Sequence, residues 1–332
     1  MANKKNNLAG IGDPYWYEWS VGLLYALDML NPDNNIKSVV LQASNLQGLD
    51  DVIINFNNGE SECVQIKHTR ENDSLTFSDL IRAEKGVSYL SQFSADWIKS
   101  LFSGYKNSKA VLFTNRKIGQ QKYTVKQENK EEYERPALDV FWPYVKQKIA
   151  TSSKLNEIII DKKWGVAWSE LLNELSPLTN DDQKLNFLRN FEIKTNQQDL
   201  EEIIESIAKK LSKYFKIEVS LAVQLHQNLC YALMKWTTTL RNCEEIFLED
   251  LLEALALSSD NFKGIHDIPT NEPFFSSRIS FVESIEKYLE TRINPIVFLY
   301  GEPGSGKTNI VSHLTNKLDS VITLRFYAFK PL

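Results

Sequence analysis

Near its C-terminal end the chain reads Gly301-Glu302-Pro303-Gly304-Ser305-Gly306-Lys307-Thr308. Small residues at this spacing let successive backbone N–H groups curl around one anion, and a helix starting there adds its partial positive charge. Pro295 to Tyr300, just before it, is an apolar run expected as a strand, and Ile310, Val311, Leu314 and Leu318 recur on one helical face after it. Strand, glycine-rich loop and helix in that order form the P-loop pattern in the context it requires. Gly301, Gly304, Ser305 and Gly306 would wrap the phosphates of ATP. Lys307 would reach the β- and γ-phosphates, and the Thr308 hydroxyl would ligate magnesium. A second strand begins at Val321–Phe326, and the sequence stops at Leu332. The later strand ending in an acid is not reached, so the chain reads as the front of a longer protein in which hydrolysis by this fragment is not expected.

A second group of polar residues lies near the N-terminus. Leu49 to Phe56 and Glu60 to Lys67 are rich in β-branched residues and flank Asn57-Asn58-Gly59, whose residue types favour a tight hairpin. With the turn at 57–59, Phe56 faces Glu60 and Asp51 falls opposite Gln65. Asp51, Gln65 and Lys67 then share one face, and Val52, Ile54, Val64 and Ile66 the other. A one-residue slip would mix the two sets, so turn and pattern agree on the register. Asp51, Gln65-Ile66-Lys67 on adjacent strands resembles the PD-(D/E)xK nuclease motif, with glutamine where the commoner residue is acidic.

The resemblance widens with Asp13-Pro14-Tyr15-Trp16-Tyr17-Glu18-Trp19, Leu49-Asp50-Asp51-Val52, Val64-Gln65-Ile66-Lys67-His68 and Phe113-Thr114-Asn115-Arg116. Together they resemble a bacterial double-stranded-DNA endonuclease family whose members are effectors in cyclic-oligonucleotide and NTPase-based antiphage defence. Joined to the P-loop, the arrangement looks like the start of an antiviral STAND NTPase of the Avs group. There a nuclease precedes the NTPase, and a C-terminal part senses phage proteins. The resemblance implies that Asp51 binds a catalytic Mg2+, that Gln65 holds the metal or its water, and that Lys67 orients the attacking water. It places Glu18 where many relatives add another carboxylate. The implied function is a metal-dependent DNA endonuclease gated by NTPase-driven oligomerisation, dimeric or tetrameric. Other readings stand beside it. Asp50 could be the ligand instead of Asp51, Lys67 could be an edge charge against aggregation, and Glu18 could serve the helix dipole of a first turn. The hairpin could also belong to a degenerate DNA-binding or assembly module, and the polymer could be RNA. His68 is expected to be a packed or surface histidine, and Trp16 and Trp19 to be core residues.

These residues need elements to hold them. Residues 14–30 read as a helix opened by Pro14, a second helix is expected around 77–93, and Lys109 to Asn115 is expected as a buried strand. Helix, hairpin, helix and strand predict an α/β fold, a restriction-endonuclease-like core with a mixed central sheet. We expect this core over residues 8–150, a helical region over 151–263 that extends the nuclease, connects it or packs on a second copy, and the NTPase start over 264–332. The amphipathic Asp199 to Leu211, with acids leading and lysines trailing, and residues 218–240 and 246–257 are expected helices. Gly264 to Pro273 reads as a linker.

Composition narrows the setting. No apolar run among the 332 residues could cross a bilayer, and no apolar segment follows the basic start. Cysteines at 63, 230 and 243 fit neither a disulfide framework nor a zinc site, so a cytoplasmic location is expected, and the family resemblance implies a bacterial one. The net charge of −5 does not advertise a nucleic-acid binder, but Lys99 to Lys130 holds eight basic residues against one acid and is a candidate DNA-facing stretch.

Overall fold

In this computed structural model the described residues are 12–257 and 276–317, apart from 45, 47, 72, 83–85, 106–107, 127–131, 239, 241–244, 292–295 and 303–304. The chain divides into two units, one ending at Leu255 and one beginning at Ala256. The first opens with α1 (Asp13–Asp28), started by Pro14 and burying Tyr17, Val21, Leu23 and Leu27. β1 (Ile36–Leu41), β2 (Val52–Phe56) and β3 (Ser61–Lys67) follow as an antiparallel meander. The expected hairpin register is the one found: Val52 lies opposite Val64 and Asn55 opposite Ser61. Gly59 takes φ +84°, which glycine adopts without strain, and the Glu60 N–H donates to Asn58 Oδ1.

After β3 come β4 (Ser74–Leu75), α2 (Phe77–Ile81), α3 (Tyr89–Phe102), β5 (Ser108–Thr114), β6 (Lys117–Ile118), β7 (Tyr123–Lys126), β8 (Glu132–Arg135) and α4 (Leu138–Thr151). The single helix expected over 77–93 is two. Gly86 sits at φ +92°, and Ser88 starts α3 by accepting from the Ser91 N–H, so the chain turns where the apolar pattern alone ran on. Then follow α5 (Gly165–Glu174), α6 (Asp181–Asn190), β9 (Phe191–Lys194), α7 (Leu200–Phe215), α8 (Val219–Trp236), β10 (Glu245–Ile246) and α9 (Leu248–Ala254).

The main sheet has six strands in the order β10-β1-β2-β3-β5-β9, with β5 parallel to both β3 and β9. It is a mixed sheet in an α/β fold. β1, β9 and β10 were not anticipated, and the last two lie in the region read as helical. The expected boundary at 150 therefore falls inside a unit that residues 191–194 and 245–246 help to build. Val40, Ile53, Cys63, Ala110 and Leu112 line one face of the sheet, in a core with Phe93, Trp97, Phe141, Phe187 and Phe191. On the other face Gly22 of α1 lies so close to Leu41 and Val52 that an added Cβ would stand 2.3 Å from Leu41 Cδ2. α7 packs on α1, and α8 on α7.

The α6–β9 junction is held by one cation. Lys146 Nζ, on α4, donates to the carbonyls of Leu188, Arg189 and Phe191, each at 3.0 Å. These are carbonyls that the end of a helix leaves without partners. Lys146→Met is expected to cost about 2 kcal/mol, because three acceptors lose a charged donor in a partly buried place; a lower denaturant midpoint at unchanged slope would report it.

In the second unit the helix Ser276–Thr291 and the helix Lys307–Lys317 share a small core of Val282, Ile285, Ile310 and Leu314. The expected strand before the glycine-rich loop is not formed among the described residues. Ile296, Phe298 and Tyr300 are exposed, and no described residue pairs with this segment in a sheet. The expected strand Val321–Phe326 and the linker Gly264–Pro273 lie outside the described residues.

Candidate functional site

Asp51 stands immediately before β2 and is only 7% exposed. Its Oδ2 accepts the Ile66 N–H at 2.7 Å and the Gln65 Nε2 amide. Both donors come from the strand that the hairpin register sets opposite, and Gln65 is itself 5% exposed. The expected polar face is thus present, but it is buried rather than solvated. Lys67 projects two residues further along β3, half-buried, with Nζ 5.7 Å from the centre of the Tyr89 ring. Its backbone is fastened by β5. Thr114 Oγ1 donates to the Lys67 carbonyl at 2.5 Å, and Asn115 exchanges two bonds with the Thr69 backbone.

Glu18 reaches the same end of the sheet from α1. The helix starts at Asp13, so Glu18 lies in its second turn and the dipole reading for a first-turn acid passes to Asp13. Its Oε2 accepts from Gln42 Nε2 at 3.1 Å. Gln42 follows β1 in a left-handed conformation, φ +54°, and its N–H donates to the Asp51 carbonyl, which ties it to the hairpin. Sequence reasoning missed Gln42 and Tyr89. Glutamine after a strand carries no local signal, and Tyr89 arrives only because α3 begins where it does.

Charge links these groups. Burial pushes the Asp51 carboxyl up to about 8, with the negative charges of Glu18 and then Asp50 adding to it, while the Ile66 N–H and Lys67 oppose the rise. Glu18 is likewise raised by burial, against the Gln42 amide and Lys67, with Asp50 adding to the rise. Asp50 is raised by burial first and then by Asp96. The structure therefore brings Glu18, Asp51, Gln65 and Lys67 together, with Asp50 beside them. Three carboxyls crowded with one ammonium favour either a shared proton or a cation. Among the described residues no three acidic, histidine or cysteine side chains converge as a metal cage. A hydrated Mg2+ needs less, since it keeps several waters and takes one or two carboxylates. Asp51 and Glu18, near enough for the charge of one to raise the other, are two carboxyls of that kind.

Other expected residues lie elsewhere. The His68 ring packs against Tyr17 with centroids 4.4 Å apart, half-buried as expected, and its pKa is lowered by burial. Trp16 does not enter the core. It is exposed and packs edge-on against Trp19 at 5.5 Å, because the buried side of α1 is taken by Tyr17, Ser20 and Val21. The basic stretch is largely neutralised by acids, most of them from other elements. Lys99 pairs with Asp96, Lys109 with Glu62 and Glu192, Arg116 with Asp73 and Asp79, and Lys122 with Glu134. Lys106 and Lys130 lie outside the described residues.

In the second unit Lys307 Nζ donates to the carbonyls of Gly301 at 2.8 Å and Glu302 at 2.9 Å and to Ser305 Oγ at 3.3 Å. Gly306 takes φ +81°, and an added Cβ would meet Arg278 Nη1 at 2.3 Å. Gly304 and the Thr308 side chain lie outside the described residues.

No helix among the described residues is long and apolar enough to cross a membrane. No family model and no curated protein matches the sequence. Among solved structures the chain is similar to one described as the Acinetobacter baumannii Cap4 SAVED/CARF-domain containing receptor, at 14% identity with a TM-score of 0.39. The match covers 80% of this chain and 52% of that one, so the chain spans about half the length of that structure.

Proposed function

We propose that the first unit is a Mg2+-dependent double-stranded-DNA endonuclease with a restriction-endonuclease-like core, and that the second unit carries the start of a P-loop NTPase domain. The observation that carries the reading is the convergence of Asp51, Gln65 and Lys67 through the register of a single hairpin, with Glu18 reaching the same end of the sheet from α1. The antiphage setting, with oligomerisation as the switch and a phage protein as the trigger, rests on the family resemblance of the sequence.

Asp51 and Glu18 would hold the ion, with Gln65 offering its amide oxygen. When bound, Mg2+ would supply Lewis acidity toward a phosphodiester oxygen and lower the pKa of a coordinated water. Lys67 would orient the attacking water and offset the charge that grows on the phosphate oxygens. Tyr89, under the ammonium, limits where Lys67 can point. Lys307, already drawn over the carbonyls of its loop, has the reach to follow a nucleotide's phosphates.

A second reading, that of a non-catalytic module, is favoured by one observation. The Gln65 amide already satisfies Asp51, as in a closed structural network. The two readings separate on supercoiled plasmid incubated with Mg2+. The nuclease reading expects nicking or linearisation that EDTA abolishes and that Lys67→Ala slows by about a hundredfold or more. Intact plasmid in every oligomeric state, with and without added ATP, favours the module.

A further inference from the structure

The outward side of α8 is a surface that the packing of the described residues leaves uncovered. Ala222, Leu229 and Leu233 bury the inner side. The outer side exposes Val219, Val223, Tyr231 and Met234, with Tyr231 59% and Val219 53% exposed. Gln224, Gln227 and Asn228, exposed among them, are uncharged. Lys235 is the sole acid or base of the Asp, Glu, Lys and Arg types in the 18 residues of α8. The neighbouring α7 exposes Glu201, Glu202, Glu205, Lys209 and Lys213, as a solvated helix does. A side with an apolar stripe and a single ammonium, Lys235 Nζ 4.9 Å from the centre of the Tyr231 ring, marks a surface that meets another one.

We propose that this side of α8 pairs with the same side of a second copy of the chain, the two helices antiparallel about a two-fold axis near Gln227. The charges at the helix ends select this occupant. Glu218 stands exposed just before the helix and Lys235 in its last turn, and among the described residues neither has an ion-pair partner. Antiparallel pairing sets Glu218 of each copy against Lys235 of the other and Val219 against Met234. A parallel pair would set like charge on like. A self-matched patch of this kind is what a two-fold interface requires. The helix is about 27 Å long at 1.5 Å per residue, a face below the standard interface size, so the dimer is expected to be micromolar. This inference does not depend on the nuclease reading, although two sites held as a pair suit a double-strand cut.

Sedimentation velocity on the full 332-residue chain, over about 1 to 100 μM, tests it. The expected result is a monomer–dimer equilibrium that Val223→Asp abolishes without lowering the melting temperature, since Val223 is exposed. Lys235→Glu alone and Glu218→Lys alone should each weaken the dimer by about fivefold, and the double exchange should restore it to within about twofold. A wild-type chain that stays monomeric throughout overturns the proposal and leaves this side of α8 to another segment or partner. A dimer indifferent to Val223→Asp, or a double exchange that fails to restore pairing, overturns it as well.

Discussion

Asp51→Asn is expected to make the protein more stable and, on the nuclease reading, inert. The wild-type carboxyl is buried and held near pKa 8 against an ordinary 3.8. A raised acid contributes stability in its protonated form. That contribution is complete below pH 3.8 and is lost as pH rises through about 8. Asparagine has no charge to bury, so the variant should lack this dependence. The gap in melting temperature between variant and wild type should be near zero at pH 4, widen toward pH 8 and then level off. We expect about 2 kcal/mol at pH 8, less than the shift alone implies, because the bonds from Gln65 and the Ile66 N–H weaken when their acceptor becomes neutral. Cleavage should fall by about a thousandfold or more, since the ion loses its buried carboxylate. Calorimetry gives a readout free of activity: wild type should release protons on binding Mg2+ near pH 7, and the variant should not. A variant less stable than wild type at pH 8 would show that Asp51 is an ordinary structural carboxylate.

Ending the chain at residue 150 is expected to give an unfolded fragment, whereas ending it at Leu255 should give a cooperative one. Residues 191–194 form β9, parallel to β5, with Phe191 fully buried against Phe93, Trp142 and Phe187. Cutting at 150 bares β5, exposes the aromatic face beneath α6, and removes α7 from α1. A bared central strand is an aggregation edge. In the intact chain Phe191→Ala should cost about 3–5 kcal/mol, a large fraction of the 5–15 kcal/mol that holds a typical domain. A soluble, cooperatively melting 1–150 fragment would show that the sheet is complete without β9.

The hairpin was readable because its determinants are local. Asn57, Asn58 and Gly59 set the turn, and a side-chain period of two then placed Asp51 opposite Gln65 with no knowledge of the rest. The helices α1 and α7 were readable for the same reason: Pro14 and Asp199 mark their starts, and apolar spacing marks their buried sides. Four-residue β9 and two-residue β10 carry too short a pattern to be told from the helices around them.

By itself, then, the sequence determined the local geometry: the turn, the register and the polar set on one strand face. Tertiary structure alone decided how much water those groups see and which charges surround them. The polar face became a buried one because α3 packs over that side of the sheet, and Asp51 became a carboxyl that resists ionisation through that burial first and then through Glu18 and Asp50 beside it. The basic stretch lost its surplus because Asp73, Asp79, Glu62, Glu192 and Glu134 arrive from other elements. Turn chemistry and periodicity act between residues a few positions apart, whereas desolvation and Coulomb interaction depend on distance in space, which only the folded chain defines.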